Sequence, residues 1–212
     1  MPPTLAEGSV NDPRPAAAVS GDGDAVVVWV DSSDGRQTRI AASRAAGAAN
    51  WEAPIALSAP GRAAFGPSVA IDGRGTIVAH WSVGAATQFT SAGTRGPWAE
   101  VQGGGSSGLT HEGGRTGPAL VGDGAGRLVA AFGSRPGALV RDWPPGGPFG
   151  PPARGLGETG WQYGVAGLAA SPSGSAAVVV TGFGLKETWG KGWDVRVVVR
   201  EAPGGARPGG GR

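Results

Sequence analysis

The sequence predicts an all-β protein assembled from four copies of one unit about fifty residues long. Three observations lead there. First, one phrase is written four times, at 15–29 (PAAAVSGDGDAVVVW), 67–81 (PSVAIDGRGTIVAHW), 118–132 (PALVGDGAGRLVAAF) and, more loosely, 166–180 (AGLAASPSGSAAVVV). Each copy reads as an apolar strand, a Gly/Asp/Ser turn and a second strand ending on a large residue, which is a β-hairpin. Second, 42 Gly and 18 Pro punctuate the apolar runs at regular intervals, as turn residues do. Third, the run Ala25 to Val30 (AVVVWV) is apolar at every position instead of alternating. A strand written that way is covered on both faces.

Two further strands follow the hairpin in each of the first three units, and one in the fourth. In the first unit they are expected at Thr38 to Arg44 and at Trp51 to Ser58, and in the second at Ala86 to Ser91 and at Trp98 to Gln102. In the third, Ala138 to Arg141 leads through Pro144 to Pro148 to a segment at Phe149, and in the fourth Val195 to Arg200 is the third strand. Four strands per unit, with units covered on both faces, describe the blades of a β-propeller. The expected domain is 1–202, with units 15–66, 67–117, 118–165 and 166–202 and a disordered Gly/Pro/Arg tail at 203–212. The fourth unit lacks an outer strand, and Pro3 to Gly8 is similar to Pro54 to Gly61. Residues 1–14 are therefore expected to supply that strand and close a ring of four; the alternative is part of a larger propeller.

Composition removes several functions. The net charge is +2 with 16% charged residues, and no Lys/Arg block or aromatic-interleaved basic stripe occurs, so nucleic acid is not an expected partner. Without cysteine there is no disulfide, thiolate metal site or Cys nucleophile. No run reaches the roughly 18 apolar residues of a membrane helix, and no signal peptide is visible at the N-terminus. No cofactor is expected, and the localisation stays open.

The Pro-entered inner strand, the Asp/Gly turn, the strand ending in Trp and the later Gly-x-Trp together resemble the propeller repeats of Gly/Ala-rich actinobacterial proteins. They are also distantly similar to the sialidase and Asp-box superfamily, whose repeats carry Ser-x-Asp-x-Gly-x-Thr-Trp. Ser20-Gly-Asp22-Gly-Asp24 departs from that pattern, since Asp24 stands where Gly is expected and Trp29 lies too far along. The resemblance implies a fold, and similar propellers are often secreted. A sialidase-like hydrolase would need an arginine trio, a Tyr nucleophile with a Glu partner and an Asp acid/base; the chain offers Tyr163 as its single tyrosine, with Glu52, Glu100, Glu112 and Glu158.

Each candidate site has a plain structural reading beside it. The turn aspartates Asp22, Asp24, Asp72 and Asp123 suit Asp-Gly hairpin turns better than calcium, which takes six or more oxygens. Arg44, Arg141 and Arg200 recur near the end of the third strand, as blade-packing residues would. His80 is expected inside a strand, on the face opposite Trp81. Trp29, Trp81, Trp51 and Trp98 keep the phase of the repeat and are expected to pack between blades. Trp143, Trp161, Trp189 and Trp193 break that phase and cluster in sequence with Tyr163 and Arg141. Aromatic faces with polar neighbours hold sugars and flat or cationic ligands. These six residues are the expected ligand site of a non-catalytic binding module for carbohydrate or protein, as monomer or homodimer. A sialidase-like glycoside hydrolase and an incomplete piece of a larger secreted propeller are the alternatives.

Overall fold

The computed structural model describes residues 15–32, 39–47, 50–61, 63–84, 86–106, 119–122, 127–134, 137–143, 153–156, 161–171, 176–184 and 194–200. They form sixteen strands. The first unit contains β1 (Ala16–Val19), β2 (Ala25–Asp31), β3 (Arg39–Ala46), β4 (Asn50–Trp51) and β5 (Ile55–Ala56). The second contains β6 (Ala64–Ile71), β7 (Thr76–Val83), β8 (Ala86–Gly93) and β9 (Gln102–Ser106). The third contains β10 (Ala119–Gly122), β11 (Leu128–Ser134), β12 (Gly137–Trp143) and β13 (Ala153–Leu156), and the fourth β14 (Trp161–Ala170), β15 (Ala176–Gly184) and β16 (Asp194–Arg200). Among the described residues no helix is long and apolar enough to cross a membrane.

Each unit folds as an antiparallel meander, as the hairpin pattern predicts, and the phrase boundaries hold to within a few residues. The differences have local causes. The outer strand expected at Trp51 to Ser58 is broken into β4 and β5, both paired with β3, because Pro54 has no amide hydrogen to give the ladder. In the second unit β9 begins at Gln102 instead of Trp98, although Ala99 still donates to the Ser91 carbonyl at 2.7 Å. The third and fourth units, expected as separate blades, join in one seven-stranded sheet through a single parallel pair, Gly137 with Gln162. Phe149, Asp123 and the proposed closing strand at 1–14 lie outside the described residues.

The turns follow from their residues. Gly23 and Gly75 take positive φ (83° and 78°), where a side chain would be strained. The Asp72 carboxylate closes its own turn, its Oδ1 accepting from the amides of Arg74 and Thr76 at 2.8 Å each. Asp24 Oδ1 accepts from the Gly47 amide at 3.0 Å. Asp72 thus serves its own hairpin turn, as expected, whereas the Asp24 carboxylate ties its hairpin to the later turn at Gly47.

Stacking of the units face to face makes the core. The inner strands contact one another in the order β1, β6, β10, β14, and no extended packing joins β1 to β14, β15 or β16 among the described residues. The described units therefore stack in chain order through their inner strands. Strand β7 sits in the middle and shows why its sequence is apolar on both sides. Ile77, Ala79 and Trp81 pack against Val26, Val28, Val30, Ile40 and Ala42 of the first blade. Val78 on the other side joins Phe89, Leu128 and Trp143 of the second and third blades. Trp81 is fully buried and satisfies its indole by donating from Nε1 to Gln88 Oε1 at 3.0 Å.

The second and third blades approach most closely at their inner strands. The Leu120 amide donates to Ser68 Oγ at 2.9 Å across the gap. A methyl group on Gly122 would stand 2.5 Å from the Ile71 carbonyl oxygen, a backbone atom that cannot swing away. Two stability changes are expected in urea unfolding. Trp81→Ala should lose about 3–5 kcal/mol, and Gly122→Ala about 1–3 kcal/mol by forcing the two inner strands apart.

Candidate functional site

Strand direction divides the molecule into two ends. One end carries the hairpin turns at 20–24 and 72–75 and, in the third blade, Leu128 paired with Trp143. The other end carries the starts of β12 and β14, brought side by side by the Gly137 to Gln162 pair. Trp143 ends β12 and Gly137 begins it, so the strand separates the two ends by about 20 Å.

The six expected ligand residues are split by this geometry. Trp143 is at the turn end, buried between blades, with its ring edge-on to Phe89 at 5.0 Å between centroids. Arg141 lies two residues earlier on the same side of β12, toward the second blade, where its charge bears on His80. Trp161 and Tyr163 lie on β14 at the other end. Trp189 and Trp193 lie outside the described residues. The structure therefore brings Trp161 and Tyr163 onto one strand at one end and removes Trp143 and Arg141 to an interface.

The register around Trp161 adds a feature that the sequence reading missed. Trp161 pairs with Gly184 and Tyr163 with Gly182 across the β14–β15 hairpin. Strand alternation places 161 and 163 on one side of the sheet. Both aromatic positions thus have glycine as cross-strand neighbour, which contributes no side chain to that side. The signal was present as the Gly-Phe-Gly ending of β15, but it had no meaning until the pairing was known.

Two polar groups lie between blades and serve the fold. Arg44 reaches from the first blade into the second. Its Nη1 donates to the carbonyls of Gly93 at 2.9 Å and Gly96 at 2.5 Å, and its guanidinium lies 5.6 Å from the centre of the Trp98 ring. Glu52 holds the other edge of the guanidinium, with Oε2 at 2.9 Å from both Nε and Nη2. Arg44 and Arg141 do not share a phase. Arg44 pairs with Val26 and faces the following blade, whereas Arg141 pairs with Ala130, one position out of step relative to Trp29 and Phe132, and faces the preceding one. Their recurrence in sequence is near the same place but not on the same face.

His80 occupies the middle of β7, on the side opposite Trp81, as strand alternation predicts. Burial first, and the nearby Arg141 charge second, lower its pKa from 6.5 to about 3. The imidazole is neutral at all ordinary pH values. Among the described residues no group of three or more His, Asp or Glu side chains could hold a metal ion.

With this geometry in hand, the likeness to solved structures is informative about fold. The chain is similar to an α-L-arabinanase from Penicillium chrysogenum complexed with arabinobiose (13% identity, TM-score 0.56, covering 89% of this chain and 62% of that one). It is similar to the GH93 α-L-arabinofuranosidase of Fusarium graminearum with arabinobiose (12%, 0.55, 89% and 61%). A protein of unknown function from Dyadobacter fermentans matches at 12% and 0.53, over 82% of this chain and 62% of that one. The arabinan-cleaving enzymes are sialidase-like six-bladed β-propellers, so the all-β, propeller-like fold is shown. This chain spans about three fifths of their length. No family model matches the sequence, and no match is found among curated proteins.

Two predictions test the interblade groups. Arg44→Ala should lose about 1.5–3 kcal/mol because two carbonyls lose a charged donor, while Glu52→Gln, at a half-exposed carboxylate, should lose under about 1 kcal/mol; chemical unfolding of both variants decides it. The second concerns pH. The unfolded chain takes up a proton at His80 near pH 6.5 and the folded one only near pH 3, so stability is full above about 6.5 and falls as pH drops. The His80 contribution to that slope is about 1.4 kcal/mol per pH unit inside the window. Unfolding wild type and His80→Gln at pH 7 and pH 5 should show about 2 kcal/mol more loss for wild type.

Proposed function

We infer that this protein is a four-bladed partial propeller that binds a carbohydrate ligand at the β14 end, without catalysing its turnover. The observation that carries this reading is the pairing of Trp161 with Gly184 and Tyr163 with Gly182 at the sheet end where the third and fourth units meet. Sugars are held by stacking their apolar faces on aromatic rings, with a few polar groups to fix orientation. Asp194, which opens β16 opposite Gly182, is a further candidate for a polar role at that end. The solved complexes with arabinobiose suggest furanose oligosaccharides as the first ligands to try.

The similarity to arabinan-cleaving enzymes favours one other reading, a glycoside hydrolase. Such chemistry needs a pair of catalytic groups flanking the scissile bond. Among the described residues the carboxylates at the β14 end are Asp31, which closes β2, and Asp194, which opens β16. Glu112 and Glu158 lie outside the described residues, and Tyr163 is the one tyrosine.

Titration with linear arabino-oligosaccharides, followed by tryptophan fluorescence, separates the readings. Saturable quenching is expected, weakened tenfold or more by Trp161→Ala, a change of about 1.4 kcal/mol or greater. Release of reducing sugar that disappears in Tyr163→Phe would favour the hydrolase instead. Absence of binding across neutral and acidic oligosaccharides would remove the carbohydrate reading.

A further inference from the structure

The forward side of the fourth unit, the side that in each earlier unit meets the next one, is open. Ala42, Phe89 and Val140 hold one register position in the third strands of the first three units, opposite Val28, His80 and Ala131, and are 0%, 4% and 7% exposed. Val197, opposite Val179, holds that position in the fourth unit and is 61% exposed. On the inner strand Ala70 is buried, whereas Ala169, at the same place in the repeat, is exposed.

This open side is written as an interior. Register places Ala177 with Val199, Val179 with Val197 and Thr181 with Val195 on it, and none of these is charged. Asp194, Arg196 and Arg200 fall on the other side of β16. A sheet with one wet side puts its polar residues there and its apolar ones inside. An apolar side left bare at Ala169 and Val197 marks a surface for another protein element.

The inner strand shows which element fits. Where the second and third units meet, the facing inner-strand positions are small: Ser68 accepts from the Leu120 amide at 2.9 Å, and Gly122 lies against the Ile71 carbonyl. Gly167 and Ala169 pair with Val179 and Ala177 as Ser68 and Ala70 pair with His80 and Val78. They keep the same room for a following inner strand. Only twelve residues follow Arg200, too few for another unit of about fifty. A second copy of the chain does not suit either, since Trp29, Ala41, Ser43 and Ala45, on the side of its first unit away from the second, are already buried. The six-bladed propellers to which this chain is similar, and of whose length it spans about three fifths, have further blades.

We propose that the Ala169/Val197 side of the fourth unit is the seat of one further propeller blade from outside residues 1–212. Its inner strand lies across β14 and β15 as β6 lies across β1 and β2. The contact continues the series of interfaces that already joins the four units.

The probe is a copy of residues 63–117, the second unit, appended after Arg212 of the full chain. The fused chain should melt about 5 °C or more above the parent, and the β16 amides should exchange about tenfold or more slowly. Val197→Arg should leave the melting temperature of the parent unchanged, because Val197 is exposed there, and should abolish both gains in the fused chain. Ile55→Arg, at an exposed residue of the outer strand β5, should leave both gains intact. An appended unit that stays unfolded, gains that survive Val197→Arg, or gains lost equally with Ile55→Arg overturns the proposal.

Discussion

Burial of the second-blade strand β7 on both of its faces is the constraint on which the rest of the structure depends. A sheet with one wet side can stand alone on a single partner, and its strands then alternate. Thr76 to Val83 does not alternate, and the structure shows two different neighbours for its two sides, the first blade at Ile77, Ala79 and Trp81 and the Leu128/Trp143 cluster at Val78. From this follow the stacking of units, the adjacency of inner strands and the need for small residues where those strands meet. Gly122, hard against the Ile71 carbonyl, and Ser68, accepting from the Leu120 amide, are consequences of two inner strands in near contact.

Polar groups placed in such an interface need partners from the neighbouring unit. Arg44 shows how this is done, since its charge is met by Glu52 on its own blade while it donates to two turn carbonyls and lies over the Trp98 ring on the next. His80 shows the other solution, a titratable group held neutral by its surroundings. The first and second blades are thus joined by a charged clasp, and the second and third by a neutral imidazole, a backbone-to-serine bond and a T-shaped aromatic pair. Units that look alike in sequence are fastened to their neighbours in different ways.

Much of this was legible beforehand. The hairpins, the third strands, the two-sided burial of the Trp-terminated strand and the turn role of Asp72 all follow from local pattern, because Gly/Asp turns and apolar periodicity act within a few residues. What was not legible depends on register between strands. Arg44 and Arg141 occupy similar places in sequence, yet a difference of one residue in their pairing sends them to opposite faces. Trp143 breaks the repeat phase in sequence but lies in an interblade core, whereas Trp161 and Tyr163 gain their interest from Gly184 and Gly182, which are about twenty residues away along the chain. The described residues are similar to part of a six-bladed propeller, the alternative that the sequence already offered, and the closing strand expected at 1–14 lies outside them.

The central claim is that blade-on-blade burial, and not any single sheet, holds the fold. Hydrogen–deuterium exchange resolved by strand tests it most directly. The account predicts that amides of β7 exchange slowest, at the rate of global unfolding, with β2 and β11 close behind and β15 markedly faster, because one side of its sheet carries the exposed Ala169 and Val197. Protection of β7 no greater than that of β15 would contradict it, since β15, paired on both edges but beside the exposed Val197, would then be as stable as a strand buried on both sides.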